Sequence, residues 1–275
     1  MASYPNTARM KTIKFKSLSS GSCGNCYFLG IFEGKDCECS IIIDAGVSTR
    51  RLTRELKADG VSTDSIGAIL ITHNHLDHVR SLGSLCKHLH KPVWSTPTLL
   101  NAMSARMTVQ GQLNGCRRDL EEGWNVIVPG RIEARYFEVP HDARQTVGYA
   151  IRLDGFNFVI ITDAGRVPQE ASRLAGEASC VVIESNYDPD MLSHSSYPEE
   201  LRARIRNGHG HLSNEECAQA VAGFEHEGLR NVFLCHRSEH NNTAQLAFDC
   251  TRKVLDPSIR LVVLPRMTAS PMFDL

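Results

Sequence analysis

The segment Thr72-His73-Asn74-His75-Leu76-Asp77-His78 places four candidate metal ligands within six residues. Imidazole and carboxylate together suit zinc, manganese or iron. A mixed His/Asp set fits a catalytic site, which keeps a position open for water, better than a closed structural one. The cluster follows the apolar run Gly67 to Thr72 and precedes a helical pattern, so it stands at a strand-to-helix junction. A tight turn at such a junction aims alternate side chains into one pocket. Three further candidates end apolar, strand-like runs. They are His141 in Val139-Pro140-His141-Asp142, Asp163 in Ile161-Thr162-Asp163-Ala164-Gly165, and His236 after Val232 to Cys235. Each alone is a weak signal, because a strand-end histidine is commonly a satisfied polar residue. Their joint order along the chain is the specific feature.

That order, HxHxDH, then a histidine, then an aspartate in T-D-A-G, then a late histidine, resembles the metallo-β-lactamase superfamily across nearly the whole chain. Asp44, in Ile43-Asp44-Ala45-Gly46, matches that superfamily's first motif, whose carboxylate braces the metal loop from behind. The resemblance implies two divalent metal ions, Zn²⁺ or Mn²⁺. His73, His75 and His141 would hold one ion, Asp77, His78 and His236 the other, and Asp163 would bridge them. Asp77 then counts among the catalytic residues as well as the ligands. A hydroxide bridging the two ions is the nucleophile this resemblance implies.

The fold of that superfamily hosts many reactions, so the branch has to be read from other residues. Glu184 ends another apolar run, in Val182-Ile183-Glu184-Ser185-Asn186, and His211 lies in Gly210-His211-Leu212-Ser213-Asn214, just before a capping-box pattern of Ser213 with Glu216. In order and local context the two match the Glu/His dyad of the tRNase Z-type phosphodiesterases. His211 would then protonate the leaving oxygen, with Glu184 favouring its charged form. The small-residue loop Ser19-Ser20-Gly21-Ser22-Cys23-Gly24-Asn25-Cys26, the G-H-L-S-N segment and C-H-R-S-E-H-N-N at Cys235 to Asn242 are similar to the YycJ/WalJ branch. That branch comprises single-domain exonucleases that degrade DNA from the 5′ end. Ser238, Asn241 and Asn242 match it, whereas His240 stands where the branch is often acidic. Ser20, Asn25, Asn186, Ser213 and Arg206 are the expected substrate contacts, with Arg206 steering the phosphate backbone toward the ions.

Elements that position these residues can be read from periodicity. Strands are expected over Thr12 to Leu18, Cys26 to Phe32 and Cys39 to Ile43, then Gly67 to Thr72. Two more lie within Val126 to Val139 around Pro129-Gly130, and a hairpin joins Val147 to Leu153 with Phe156 to Ile161. Short buried strands follow at Val181 to Ile183, Val232 to Cys235 and Arg260 to Leu264. Helices are expected over Thr49 to Ala58, Val79 to His90, Pro198 to Arg206, Asn214 to Glu227 and Thr243 to Val254. Hairpins come early in each half and strand–helix pairs late. This mixture predicts a four-layer αββα sandwich rather than a parallel Rossmann sheet. Residues 11 to 275 form one domain, and residues 1 to 10 read as a flexible leader.

The 275 residues carry a formal net charge of −1, so attraction to phosphate must be local rather than global. No apolar stretch approaches the ~20 residues of a membrane span, and Met1 to Lys16 lacks the apolar run of a secretory signal. A cytoplasmic protein with no membrane partner is expected. Ten cysteines are spread along the chain. Cys23-x-x-Cys26 with Cys37-x-Cys39 has the spacing of a four-thiolate zinc site, but reduced packing thiols are the expected reading. The function that follows is a metal-dependent phosphodiester hydrolase acting on nucleic acid, DNA before RNA. The alternatives are a small-molecule cyclic phosphodiesterase, a thioesterase of the glyoxalase II type and a non-catalytic binding protein.

Overall fold

A computed structural model describes residues 11–275, so the expected leader lies outside the described residues. Strands β1 (Lys11–Gly21), β2 (Gly24–Glu33), β3 (Asp36–Ile43), β4 (Ile66–Leu70), β5 (Val93–Ser95) and β6 (Arg117–Asp119) build one sheet. A second is built by β7 (Asn125–Val128), β8 (Ile132–Glu138), β9 (Val147–Leu153), β10 (Phe156–Ile161), β11 (Cys180–Glu184), β12 (Asn231–Cys235) and β13 (Arg260–Val263). The chain then returns to the first sheet through β14 (Phe273–Asp274). The strand orders are β14-β1-β2-β3-β4-β5-β6 and β13-β12-β11-β10-β9-β8-β7. In both sheets the pairing is antiparallel at first and parallel later, from β3 onward in one and from β10 onward in the other.

Helices α1 (Thr49–Ala58), α2 (Leu76–Val79), α3 (Leu82–Leu89) and α4 (Pro97–Ser104) belong to the first half. The second half has α5 (Gln169–Ala175), α6 (Pro189–Ser193), α7 (Glu199–Arg206), α8 (Asn214–Phe224) and α9 (Ala244–Arg252). Aromatic rings lock the two sheets face to face: Phe15 of β1 lies 5.6 Å from Phe158 of β10 and 4.9 Å from Phe233 of β12, between ring centroids. A separate apolar layer joins the outer face of the second sheet to α5, α8 and α9 through Leu174, Val221, Phe224 and Ala247. The expected αββα sandwich is therefore the architecture.

Some elements depart from expectation. The helix expected over Val79 to His90 begins only at Leu82, as α3, and is separated from the short α2 that ends at Val79, because the Ser81 N–H is drawn to the Ala45 carbonyl, 2.9 Å away, in the loop carrying Asp44. Elements β5, α4 and β6 occupy a stretch where no element was expected, although Thr96 before Pro97 is a helix-start signal: the Thr96 hydroxyl accepts from Leu99 N–H. The four-thiolate zinc reading fails on register. Cys26 pairs with Ser19 at one end of β2, while Cys37 and Cys39 lie opposite Phe32 and Ile31 at the other. At about 3.3 Å per residue the two pairs are too far apart to share one ion.

Candidate metal centre and acid dyad

Every candidate ligand lies at or just beyond the C-terminal end of a strand. His73 and His75 follow β4, with Asp77 and His78 in α2 directly after them; His141 follows β8, Asp163 follows β10 and His236 follows β12. Asp44, Asp163 and His236 adopt left-handed backbone conformations, with φ of 64°, 52° and 50°. This region is sparsely populated for residues with a Cβ, and such outliers persist where the surroundings over-determine them. Tyr149 of β9 donates its hydroxyl to the Ile71 carbonyl at 2.6 Å, tying the second sheet to the base of the metal loop. Gly46 lets the Asp44 loop pass close: a Cβ there would lie 1.8 Å from the Asp77 carbonyl oxygen and 2.4 Å from the Asn25 nitrogen.

The side chains converge into groups with metal-ligand spacing: His73, His75 and His141 in one, Asp77, His78 and His236 in another. Asp163 stands between them. Its Oδ1 is 3.7 Å from His141 Nε2 and 3.5 Å from His236 Nε2, and its Oδ2 is 3.2 Å from His78 Nε2. His73 Nε2 and His236 Nε2 are buried without a hydrogen-bond partner among the described residues. Orphaned imidazole nitrogens beside clustered carboxylates are what a divalent cation satisfies, so the donor set fits the group.

Hydrogen bonds behind the ligands fix which ring nitrogen faces inward. Asp44 is fully buried and accepts from Thr72 N–H at 2.9 Å, from the Thr72 hydroxyl and from His78 Nδ1 at 2.7 Å. Glu184, also fully buried, accepts from His236 Nδ1 at 2.8 Å. Neutral groups brace the other cluster. His141 Nδ1 donates to the Gly210 carbonyl at 2.8 Å, His75 Nε2 to the Asp142 carbonyl at 3.0 Å, and His73 Nδ1 lies 3.1 Å from the Thr72 hydroxyl.

Charge follows this division. Burial, aided by the neighbouring His78, pushes the His73 imidazole well below the usual range, and burial also lowers His75 and His141. At His236 burial opposes the imidazolium too, but Asp163, Asp77 and Glu184 outweigh it and push the group up to about 10. His78 is raised in the same way by Asp163 and Asp44. Burial acts against the Asp163 and Asp77 carboxylates, yet the facing imidazoles hold both below the usual carboxylate range.

Glu184 and His211 meet as a pair. The register of β11 on β12 sets Glu184 beside Cys235, next to His236. Its Oε1 accepts from His211 Nδ1 at 2.7 Å as well as from His236, while Oε2 accepts from Ala164 N–H at 2.9 Å. His211 is held from the other side by Leu212 N–H, which reaches the same carboxylate, and by its own N–H to the Ile205 carbonyl. The capping box at Ser213 starts α8 immediately after it. His211 is 24% exposed and lines a cavity of about 480 Å³ together with His75, Asp77, His141, Asp163 and His236.

The expected substrate contacts divide. Asn186 lines this cavity and donates to the His236 carbonyl at 2.7 Å. Ser20, Asn25 and Ser213 are buried, so they support the site from behind rather than face a substrate. The Ser20 hydroxyl accepts from His236 N–H, the Asn25 amide nitrogen lies 2.8 Å from His78 Nε2 and donates to Asp77 Oδ2, and Ser213 caps α8. Arg206 is ion-paired with Glu199 at 3.1 Å and does not line the cavity; two residues back on α7, Arg204 does, pairing with Asp142. Periodicity could not say which face of α7 meets the site. Ser22, Tyr197, Arg237, His240 and Asn241 also line the cavity.

The protein-family model described as "Beta-lactamase superfamily domain" matches residues 40–236. The chain is 31% identical to exodeoxyribonuclease YycJ of Bacillus anthracis over 89% of each chain. It is 30% identical to exodeoxyribonuclease WalJ of Streptococcus pneumoniae over 85% of each. The crystal structure of the metallo-β-lactamase fold protein YhfI from Bacillus subtilis superposes with a TM-score of 0.68 at 12% identity, covering 97% of this chain and 100% of that one.

Proposed function

Because this chain belongs to the β-lactamase superfamily and is a metal-dependent hydrolase of that fold, we propose that it removes nucleotides from the 5′ end of DNA using two divalent ions, Zn²⁺ or Mn²⁺. The observation that carries the choice of reaction is the 2.7 Å contact between His211 Nδ1 and Glu184 Oε1 beside the metal-ligand cluster. The choice of substrate is supported by the likeness to two exodeoxyribonucleases over 85–89% of the chain.

His73, His75 and His141 would hold one ion, Asp77, His78 and His236 the other, with Asp163 between them. When bound, the ions supply Lewis acidity and a nucleophile at neutral pH. The chain's own part is proton transfer and orientation. With Nδ1 committed to Glu184, His211 turns Nε2 toward the cavity, where it donates a proton to the oxygen that leaves as the phosphodiester breaks. An alkoxide leaving group needs this proton; a thiolate does not, so the dyad favours a phosphodiester over a thioester. Glu184 keeps His211 from rotating, and the same Oε1 holds His236.

The test is a time course on a 5′-phosphorylated DNA duplex labelled at internal positions. Metal-stripped protein is supplied with Mn²⁺ or Zn²⁺ and compared with His73→Ala. Progressive shortening from the 5′ end, absent in the variant, is expected. Shortening from the 3′ end would overturn the polarity, and intact DNA beside turnover of a bis-aryl phosphodiester would overturn the nuclease reading.

A further inference from the structure

The cavity has a second half that phosphodiester chemistry does not require. Beyond the ligand cluster it is lined by Tyr197, Leu201, Ile205, His240 and Asn241. Tyr197 lies just before α7, and His240 in the loop after β12. Their rings sit 6.4 Å apart between centroids at an interplanar angle of 82°. Two rings at nearly right angles form a corner: a flat group lying on one presents its edge to the other. Leu201 and Ile205 of α7 continue this apolar lining. Asn241 follows His240 directly and is only 1% exposed, yet its Oδ1 has no hydrogen-bond partner among the described residues. A buried, unpaired amide oxygen in a cavity lining is costly unless a ligand completes it.

An aromatic corner, an aliphatic wall and an unpaired carboxamide make a recognition set for a flat heterocycle with a polar edge. Aromatic rings stack on any base, and an asparagine amide can bond base edges. We propose that Tyr197, His240 and Asn241 form a nucleobase subsite, which takes the base of the nucleotide whose phosphate lies at the metal ligands. This assignment of a role in turnover rests on the nuclease reading given above. A base seated in the corner has left its own helix, so the end that reacts is unpaired. One of the two rings supplies stacking and the other meets the edge of the base, while Asn241 supplies a hydrogen bond that does not depend strongly on base identity.

The test separates the subsite from the nuclease activity by measuring binding alone. Metal-loaded protein is titrated calorimetrically with dAMP, with dTMP and with 2-deoxyribose 5-phosphate, which lacks the base. The nucleotides should bind about 5- to 150-fold more tightly than the sugar phosphate, the range that base–aromatic stacking supports. Tyr197→Ala with His240→Ala should remove that difference while leaving sugar phosphate affinity unchanged, and Tyr197→Phe should retain it. Unchanged thermal midpoints verify that the variants fold. Equal affinities for nucleotide and sugar phosphate in the wild type, or a difference that survives the double substitution, overturns the subsite. Nucleotide preference in a protein that leaves DNA intact would overturn the nuclease reading and keep the subsite, whereas DNA shortening without base preference would do the reverse.

Discussion

Replacing Glu184 with glutamine tests the wiring of the centre more severely than removing any one ligand. The side chain is fully buried and already saturated: Oε1 accepts from His211 Nδ1 and His236 Nδ1, and Oε2 from Ala164 N–H. Glutamine has one acceptor oxygen and an NH₂ that can only donate. Turned one way, that NH₂ meets the Ala164 N–H, donor against donor. Turned the other way, it meets both imidazoles, which must then accept through Nδ1 and carry their proton on Nε2. For His236 that is the nitrogen facing Asp163 and Asp77, where an ion would bind. Either arrangement sacrifices charge-assisted hydrogen bonds of about 1.5–3 kcal/mol each. Metal affinity should fall about 10- to 100-fold, as it does on loss of partners behind ligands. At saturating metal, kcat should fall roughly 10²–10⁴-fold through the misplaced acid. Competition against a chelator gives the affinity, and hydrolysis of bis(p-nitrophenyl) phosphate gives kcat. A Glu184→Gln protein with metal affinity within about twofold of wild type and unchanged kcat would refute the reasoning.

Asp44→Ala leaves Thr72 N–H and His78 Nδ1 without their buried acceptor, so the metal-free protein should lose about 2–5 kcal/mol, read as a lowered Tm. The two metal positions should respond differently to pH. The His73/His75/His141 group is held neutral, whereas His236 and His78 must shed protons to bind, so affinity at the second position should climb steeply between about pH 6 and 10. Equal pH slopes in a metal titration would contradict this. In the metal-free protein the sign reverses: the His236 imidazolium, raised above its unfolded value, stabilises the fold fully below about pH 6.5 and loses that contribution as pH rises through about 10, so Tm without metal should fall across that window. On α7, Arg204→Ala should raise KM for DNA several-fold, more so at low salt, while Arg206→Ala, which removes only an exposed pair with Glu199, should leave both KM and Tm unchanged.

How much of this was legible in the sequence differs by residue. The convergence of the candidate ligands was legible because the groups they form follow apolar runs, and a strand end is a local event. The sandwich was readable because hairpin signals such as Asp154-Gly155 separate the antiparallel strands from the later strand–helix pairs. What the sequence hid was orientation. Whether Arg204 or Arg206 faces the cavity depends on the rotation of a short helix about its axis. Ser20 and Asn25 pair with each other at the end of the β1–β2 hairpin, which does reach the centre, but they reach it from behind, which spacing cannot reveal. Tyr197 and His240 are brought together from loops 43 residues apart in number, and neither carries a local motif. The break between α2 and α3 was equally hidden, since its cause is a carbonyl on a loop of distant sequence.

The left-handed residues show why the centre and the fold are one problem. In a strand, successive side chains leave on opposite faces, so a chain running straight on from β3, β10 or β12 cannot deliver its next carboxylate or imidazole to a shared point. A left-handed residue at the strand end turns the chain sharply and aims the side chain across the sheet edge. Asp44, Asp163 and His236 all do this, at a cost of order 1–3 kcal/mol each. None is a glycine, because the side chain is the reason for the turn. The strain is held in place by the contacts those side chains make: Asp44 with Thr72 and His78, His236 with Glu184. One buried carboxylate therefore comes from each sheet, Asp44 behind His78 and Glu184 behind His236, and each fixes the tautomer that points Nε2 inward. The parallel strands set the ends side by side, the left-handed turns bring the ligands together, and the two carboxylates decide which nitrogen an ion would meet.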